Sequence, residues 1–322
     1  MPGGWLSGLR IRFNLLVSVV WPPGEDTDVP AFCRALGVPG LADVHVHFLP
    51  PRLLRRVWEY FDAAGPLVGT AWPIRYRWPD EQRVAHLRAL GVLAYSALAY
   101  AHRPGMAADL NAWTLEFARV TQGCLPSATF YPEPGVMDYV QAALDAGARV
   151  FKVHLQVGGF PADEPRLRPV WGLLAEAGVP VVVHAGHAPV ATAHTGPAPF
   201  AALLAHYPRL TAIVAHLGAP DYEPFLELAE TCERVALDTT MASRRFSSGS
   251  PRSRPGRCPA CGRSAWPGRC SWAATSRTSP TPTPSRSPAW CGWGSAIRGC
   301  ARSAGRTRRA CSGSPSPAYR RL

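Results

Sequence analysis

The feature that most constrains the fold is a regular alternation of short apolar runs with longer amphipathic runs. Seven apolar runs predict strands, at residues 41–48, 91–101, 124–132, 149–156, 180–186, 210–218 and 234–240. Most are continuously apolar, as expected when helices cover both faces of a parallel sheet. Such repeated strand–helix alternation favours a (β/α)8 TIM barrel over a doubly wound sheet, whose glycine-rich phosphate turn is absent from HFLPPR after the first strand.

The basic charge is confined to one end of the chain. The 322 residues carry a formal charge of +12, but residues 243–322 contain 16 arginines and no Asp, Glu or Lys, so the remainder has a net charge of −4. The sequence therefore predicts a disordered leader at 1–27, a partial barrel at 28–242, and a low-complexity Arg/Ser/Pro-rich tail at 243–322 that is too poor in apolar residues to order itself. A nucleic-acid partner is disfavoured, because no helix or aromatic platform accompanies the arginines.

Other features of the chain give no evidence of export or membrane insertion. No apolar run approaches the roughly 18 residues of a membrane span, and the apolar segment 10–21 lacks a signal-peptide cleavage pattern. Cys258 and Cys261 have zinc-knuckle spacing, but the later cysteines supply no second pair. We expect a cytoplasmic protein with a small-molecule substrate, and a homodimer is left open.

Histidines stand at the ends of several predicted strands. In DVHVHF, the strand period of two places Asp43, His45 and His47 on one face, where the two imidazoles can converge on a metal ion. His154, His184 and His216 end the fourth, fifth and sixth strands. Polar residues at the C-terminal ends of barrel strands indicate an active site.

Lys152 adds to this pattern, because it is the only lysine among 33 arginines. It shares one strand face with His154, and Phe151 and Val153 lie on the other. We expect Lys152 to line the mouth of the barrel, with an ordinary surface lysine as the alternative.

These motifs resemble the amidohydrolase superfamily, in particular the amidohydrolase-related branch that includes aminocarboxymuconate-semialdehyde decarboxylase. The matching segments are DVHVHFLP, FKVH, VVVHAG and AIVAHLG, which lie within residues 41–240. The resemblance implies that His45, His47 and His184 bind Zn²⁺ or another divalent metal such as Mn²⁺, with His216 as general base. Lys152, His154 and Asp43 would bind substrate or support the ligands. A carbamylated Lys152 that bridges two metals is a further option.

The resemblance implies one main activity and two alternatives. The main one is hydrolysis of a small-molecule amide, ester or lactone by a metal-activated water. The first alternative is non-oxidative decarboxylation of an aromatic or unsaturated carboxylic acid, for which Arg75 or Arg77 would pair with the carboxylate. The second is an inactive remnant, because the family's eighth-strand aspartate, usually within GSDFP, is missing from this sequence.

The genetic code offers an explanation for the missing aspartate. The nucleotides of SWAATSRTSPTPTPS (271–285), translated from the third base of each codon, force a glycine across Trp272 and Ala273. They are compatible throughout with LGSDFPNIPYPYAE. We therefore expect a frameshift between about Thr240 and Arg245, with the eighth strand lost, so that the chain as written folds poorly and has little activity.

Nucleotide sequencing through codons 235–290 tests this interpretation. We expect that a single-base change restores a frame that continues from VALDTT into GSDFP. A sound reading frame, supported by peptides from the arginine-rich tail, would contradict it and would favour a truncated barrel with a basic extension.

Overall fold

The computed structural model describes residues 23–65, 74, 76–242 and 270–271. Within them, parallel strands alternate with helices, as the sequence pattern predicts. The strands are β1 (Leu41–Asp43), β2 (Val92–Ser96), β3 (Cys124–Leu125), β4 (Ser127–Thr129), β5 (Val150–His154), β6 (Val181–His184), β7 (Ala212–Val214), β8 (Val235–Asp238) and β9 (Cys270–Ser271). The helices are α1 (Val29–Ala35), α2 (Pro51–Ala63), α3 (Asp80–Ala89), α4 (Ala107–Val120), α5 (Val136–Asp145), α6 (Leu155–Gly158), α7 (Arg168–Ala177), α8 (Pro197–His206) and α9 (Tyr222–Thr231).

The strands pair in chain order, first as β1-β2-β3 and then from β4 to β9, and every pair is parallel. The break between these two sheets falls at Pro126, which has no N–H to donate to a ladder of strand hydrogen bonds. Its carbonyl still accepts from the Arg149 N–H at 2.8 Å, and the Ala97 N–H donates to Ser127 Oγ at 3.1 Å. The predicted third strand is therefore divided into β3 and β4, and the two sheets continue one another around a (β/α)8 TIM barrel.

Side chains alternate between the barrel interior and the helix layer along β5 to β8. The interior apolar cluster contains Leu98, Val150, Val182, Ile213 and Ala215. The outward-facing side chains, including Phe151, Val153, Val181 and Val183, pack with Trp171 and Leu174 of α7. This alternation places Lys152, His154, His184 and Asp238 on the interior face. The register sets His154 of β5 directly beside His184 of β6.

Within the described residues, the barrel is incomplete at its C-terminal end, as expected. Leu237 and Asp238 of β8 pair with Cys270 and Ser271. Within the described part of the chain, only these two residues occupy the position of the eighth strand. Otherwise the predicted tail, like residues 1–22 of the predicted leader, lies outside the described residues.

All seven predicted strands end earlier than the sequence pattern indicates, and two of these early ends determine where site histidines lie. The first ends at Asp43, because Asp43 Oδ1 accepts the His45 N–H at 3.0 Å and turns the backbone away from the ladder. His45 and His47 therefore lie just beyond β1. The strand β7 ends at Val214, and His216 adopts a left-handed conformation with φ of 59°.

The helix α3 was not expected from the sequence pattern, in which segment 79–90 lies between two predicted elements. Within the described residues, none of the helices combines the length and apolar character needed to cross a membrane.

Candidate metal centre

Five histidine rings gather at the C-terminal ends of the strands. The ring centroids of His45 and His47 are 5.1 Å apart, and those of His45 and His216 are 5.0 Å apart. His184 lies 5.0 Å from His216 and 3.8 Å from His154, against which it stacks. The structure thus brings together the histidines that the sequence assigns to the mouth of the barrel.

Hydrogen bonds fix the tautomer of His45. Its Nδ1 lies 2.7 Å from Asp238 Oδ2 in a site where both side chains are buried. A carboxylate oxygen accepts, so Nδ1 carries the proton and the lone pair is on Nε2. Such a carboxylate–histidine pair orients a ligating imidazole and raises its basicity.

His47 and His216 have the same tautomer as His45. The Nδ1–H of His47 donates to the Leu98 carbonyl at 2.9 Å, and that of His216 donates to the Thr240 carbonyl at 2.7 Å. A carbonyl can only accept, so both rings keep their lone pair on Nε2. Together with His45, three Nε2 atoms in the cluster are therefore free of protons.

His184 and His154 differ from this pattern. The Nε2–H of His184 donates to the Ala188 carbonyl at 2.7 Å, which leaves the lone pair on Nδ1. His154 Nδ1 instead accepts the Val157 N–H at 3.3 Å, so its Nε2 carries the proton when the ring is neutral. Four histidines thus keep a lone pair on one ring nitrogen, and that of His45 faces the Lys152 ammonium group at 3.5 Å. His154 is a hydrogen-bond donor.

The surroundings keep these rings uncharged. Burial lowers the pKa of His47 to about 4 and that of His184 to about 3, with the nearby Lys152 charge contributing in the same direction. Burial likewise lowers the pKa of His45, His154 and His216 well below the usual value. Neutral imidazole is the form that binds metal.

The donor set fits a divalent cation. Two imidazoles on one tetrahedral Zn²⁺, with Zn–N of about 2.0–2.1 Å, have ring centroids about 5 Å apart. His45 with His47, His45 with His216, and His184 with His216 have this separation. Within the ligand set predicted from the sequence, His45, His47 and His184, the pair His45–His47 has this separation, and the set stays a prediction.

A tighter group within the described residues joins His45, His216 and Asp238, whose ligand atoms lie within 4.8 Å of one another. Asp238 already accepts three hydrogen bonds. Oδ2 accepts from His45, and Oδ1 accepts the backbone N–H groups of His216 at 2.9 Å and Thr240 at 3.1 Å. We therefore interpret Asp238 as the residue that orients His45, since a metal would have to displace these bonds.

Lys152 is not a surface lysine. Its side chain is 1% exposed inside the barrel, and Nζ lies 3.5 Å from His45 Nε2. Burial lowers its pKa to about 8, and the Asp238 charge opposes that shift. The salt bridges of the described residues do not include Lys152, so its ammonium group has no carboxylate partner among them and its recorded hydrogen bond goes to His45 Nε2.

Asp43 lies beneath this cluster and is fully buried. Its Oδ2 has no hydrogen-bond partner among the described residues. Burial raises the pKa of this carboxyl well above its usual range. Asp43 shapes the turn that presents His45, and nothing in the geometry makes it a metal ligand.

The two arginines suggested for carboxylate binding do not stand at the cluster. Arg75 lies outside the described residues, and Arg77 pairs with Asp62 and stacks over Trp58. Arg83, which sequence reasoning missed, is closer. Its guanidinium group donates to the His47 carbonyl and to Asp80, so it supports the His47 backbone.

The family model described as Amidohydrolase matches residues 42–274, which is more than half of the chain. The chain belongs to the amidohydrolase family. This confirms the superfamily resemblance and the enzyme class. Members of this superfamily usually depend on divalent metals, although the match does not identify the metal.

The solved structures similar to this amidohydrolase include an uncharacterized TIM-barrel protein from Bordetella bronchiseptica, with 19% identity, a TM-score of 0.51, and coverage of 64% of this chain and 75% of that chain. Another is 5-carboxyvanillate decarboxylase from Sphingomonas paucimobilis, with 13% identity, a TM-score of 0.42, and coverage of 62% and 81%. A third is L-hydantoinase from Arthrobacter aurescens, with 19% identity, a TM-score of 0.39, and coverage of 63% and 47%. The first of these shows the barrel fold. A search of curated proteins finds no match.

The Asp238–His45 pair generates the first prediction from this site. In Asp238→Asn, the amide oxygen can keep the two backbone N–H groups, but the NH₂ group then faces His45 Nδ1. The ring must move its proton to Nε2, and we expect zinc affinity to fall about 10–100-fold, measured by competition with a chromophoric chelator.

Asp221→Asn is the matched control, because Asp221 Oδ2 holds the Nδ1 of His187, a loop residue outside the cluster, at the same 2.7 Å. We expect zinc affinity to be unchanged in this variant. Equal losses in both variants, or none in Asp238→Asn, would contradict the role given to Asp238.

The lowered histidine pKa values predict a pH dependence of stability in the metal-free protein. Below about pH 6.5 the unfolded chain protonates its histidines, whereas the folded chain keeps them neutral until about pH 4 for His47 and about pH 3 for His184. The unfolded state then binds more protons, so the free energy of unfolding falls as pH decreases from 7 to 5. The raised pKa of Asp43 acts in the opposite direction, but five histidines outnumber it.

Urea unfolding in the presence of EDTA at several pH values measures this slope. His184→Asn should make the slope shallower, and the same change at the exposed His206 of α8 should not. A free energy of unfolding that stays constant between pH 7 and pH 5 would contradict the neutral histidine cluster.

Proposed function

We propose that this chain derives from a metal-dependent hydrolase that acts on a small-molecule amide, ester or lactone. The observation that carries the proposal is the pattern of ring hydrogen bonds. Four histidines at the barrel mouth have one nitrogen bonded to a protein acceptor and the other left as a lone pair. Ordinary buried histidines have no reason to converge in this way.

Three of these lone pairs would hold the metal, from His45 Nε2, His47 Nε2 and His184 Nδ1, with zinc as the proposed ion. A divalent cation supplies Lewis acidity and lowers the pKa of water to about 7. Asp238 keeps His45 in the ligating tautomer. Arg83 holds the backbone carbonyl of His47 in place.

His216 is the proposed general base. Its Nδ1–H is anchored by the Thr240 carbonyl, and its backbone N–H by Asp238 Oδ1. The free Nε2 can accept a proton from the attacking water and later deliver it to the leaving group. The left-handed backbone at His216 is held by these bonds, a type of strain that is common at functional sites.

Decarboxylation of an aromatic or unsaturated acid is the second candidate, and Lys152 is the observation that favours it. A buried ammonium group without a carboxylate partner among the described residues could take the substrate carboxylate. Hydrolysis is preferred because Arg77 and Arg83 are both engaged in other interactions. A cytoplasmic location and a homodimer stay predictions.

The incomplete barrel is part of the proposal. We infer that the active form contains the shifted-frame segment in place of the tail. The two-residue β9 supports this inference by position, because it pairs with β8 immediately before the codons compatible with GSDFP. The second alternative from the sequence, an inactive remnant, then describes the chain as written.

Asparagine variants of the histidines test the function in both the 322-residue chain and a frame-restored chain. We expect His45→Asn, His47→Asn and His184→Asn to lose bound zinc, measured by inductively coupled plasma mass spectrometry. His216→Asn should keep zinc and lose at least 100-fold in kcat on small esters and lactones. His206→Asn, on the exposed face of α8, should change neither quantity.

The outcomes separate the alternatives. Zinc loss in His216→Asn equal to that in His45→Asn would make His216 a ligand and overturn its role as base. A frame-restored chain that carries zinc and releases CO₂ from aromatic acids, without hydrolysing esters or lactones, would favour the second candidate. Full activity of the chain as written would contradict the frameshift.

A further inference from the structure

Tyr100 occupies a position at the barrel mouth that the mechanism above does not use. It follows β2, the strand that precedes the Leu98 carbonyl bound by His47. Its ring centroid lies 6.0 Å from that of His47 and 5.0 Å from that of His154. The phenol therefore lies beside both a proposed metal ligand and a proposed substrate-binding histidine.

The hydroxyl group of Tyr100 differs in its hydrogen bonding from those of Tyr95, Tyr131 and Tyr139. Tyr95 donates to the Gln122 carbonyl, Tyr131 to the Gly158 carbonyl, and Tyr139 to the Tyr131 carbonyl. The hydrogen bonds recorded for the described residues include none from the Tyr100 hydroxyl. A half-buried phenol with no acceptor among the described residues leaves its donor for a molecule that enters the mouth.

Tyr100 also begins a row of aromatic rings. Its ring is tilted against His154, which stacks on His184 at 3.8 Å. His154 adds a second donor to this row, its Nε2–H, because its Nδ1 accepts the Val157 N–H. A row with flat ring faces and two hydrogen-bond donors fits a planar group that carries acceptor oxygens.

We propose that Tyr100 is a substrate-binding residue whose hydroxyl donates a hydrogen bond to an oxygen atom of a planar acyl or carboxylate compound. The ring faces of Tyr100 and His154 position the planar part of that compound beside the metal ligands. The inference rests on the proposed function, since it takes the histidine cluster as the reaction centre.

Benzoate is the probe, because it combines a planar ring with two acyl oxygens and does not react. Isothermal titration calorimetry measures its affinity for the zinc-treated 322-residue chain and the frame-restored chain. In Tyr100→Phe we expect the dissociation constant to rise about tenfold, as for loss of one hydrogen bond to a charged acceptor. Zinc content and the melting temperature should not change.

Tyr95→Phe is the matched control. It removes the same hydroxyl from β2 itself, but from a bond to Gln122 in the outer part of the fold. We expect it to leave benzoate affinity unchanged, even if it lowers the melting temperature slightly. A role for Tyr100 in stability alone would instead lower the melting temperature without changing benzoate affinity.

Two results would overturn the inference. Equal benzoate affinity in wild-type protein and Tyr100→Phe would show that the hydroxyl does not contact the ligand. Failure of zinc-loaded wild-type protein to bind benzoate at all would exclude the proposed ligand class. If the proposed function is wrong, the protein will not bind zinc, and the zinc measurement shows this separately. The benzoate titration still tests the role of Tyr100 in that case, because its hydroxyl donor does not depend on the metal.

Discussion

The carboxylate of Asp238 is the interaction on which the site depends. It accepts from the His45 ring and from the backbone N–H groups of His216 and Thr240. It therefore joins the segment after β1 to the segments after β7 and β8, across the place where a closed barrel has its eighth strand. A buried carboxylate with three donors provides part of the connection that a full-length eighth strand would provide, and it also decides which nitrogen of His45 faces the mouth.

The chemistry of the mouth follows from strand alternation combined with local acceptors. Alternation puts Lys152, His154 and His184 on the interior face, and the parallel register brings His154 and His184 into a stack. Backbone carbonyls then select the tautomers, and burial keeps the rings neutral. A set of uncharged lone pairs in a buried site suits metal binding, whereas the buried ammonium group of Lys152 is suited to an anionic group.

Much of the barrel could be predicted from the sequence because continuous apolar runs and amphipathic helices have distinct periods. The convergence of the five strand-end histidines followed from the shared direction of parallel strands. Asp238 was visible in RVALDTT only as a strand residue, because its bond to the His45 ring spans 193 positions of sequence, and a sequence pattern carries no sign of such a contact. Tyr100 was missed for a similar reason, since a tyrosine in an apolar run is indistinguishable from a core residue until its neighbours are known. The early ends of β1 and β7 reflect side-chain bonds to the backbone that override the period-two pattern.

X-ray absorption at the zinc edge of the zinc-loaded protein tests the central claim most directly. The account predicts three imidazole ligands with Zn–N of about 2.0–2.1 Å, and an unchanged spectrum in His216→Asn. Two imidazoles with a carboxylate, together with a changed spectrum in His216→Asn, would contradict it. That result would assign the metal to the tighter group of His45, His216 and Asp238.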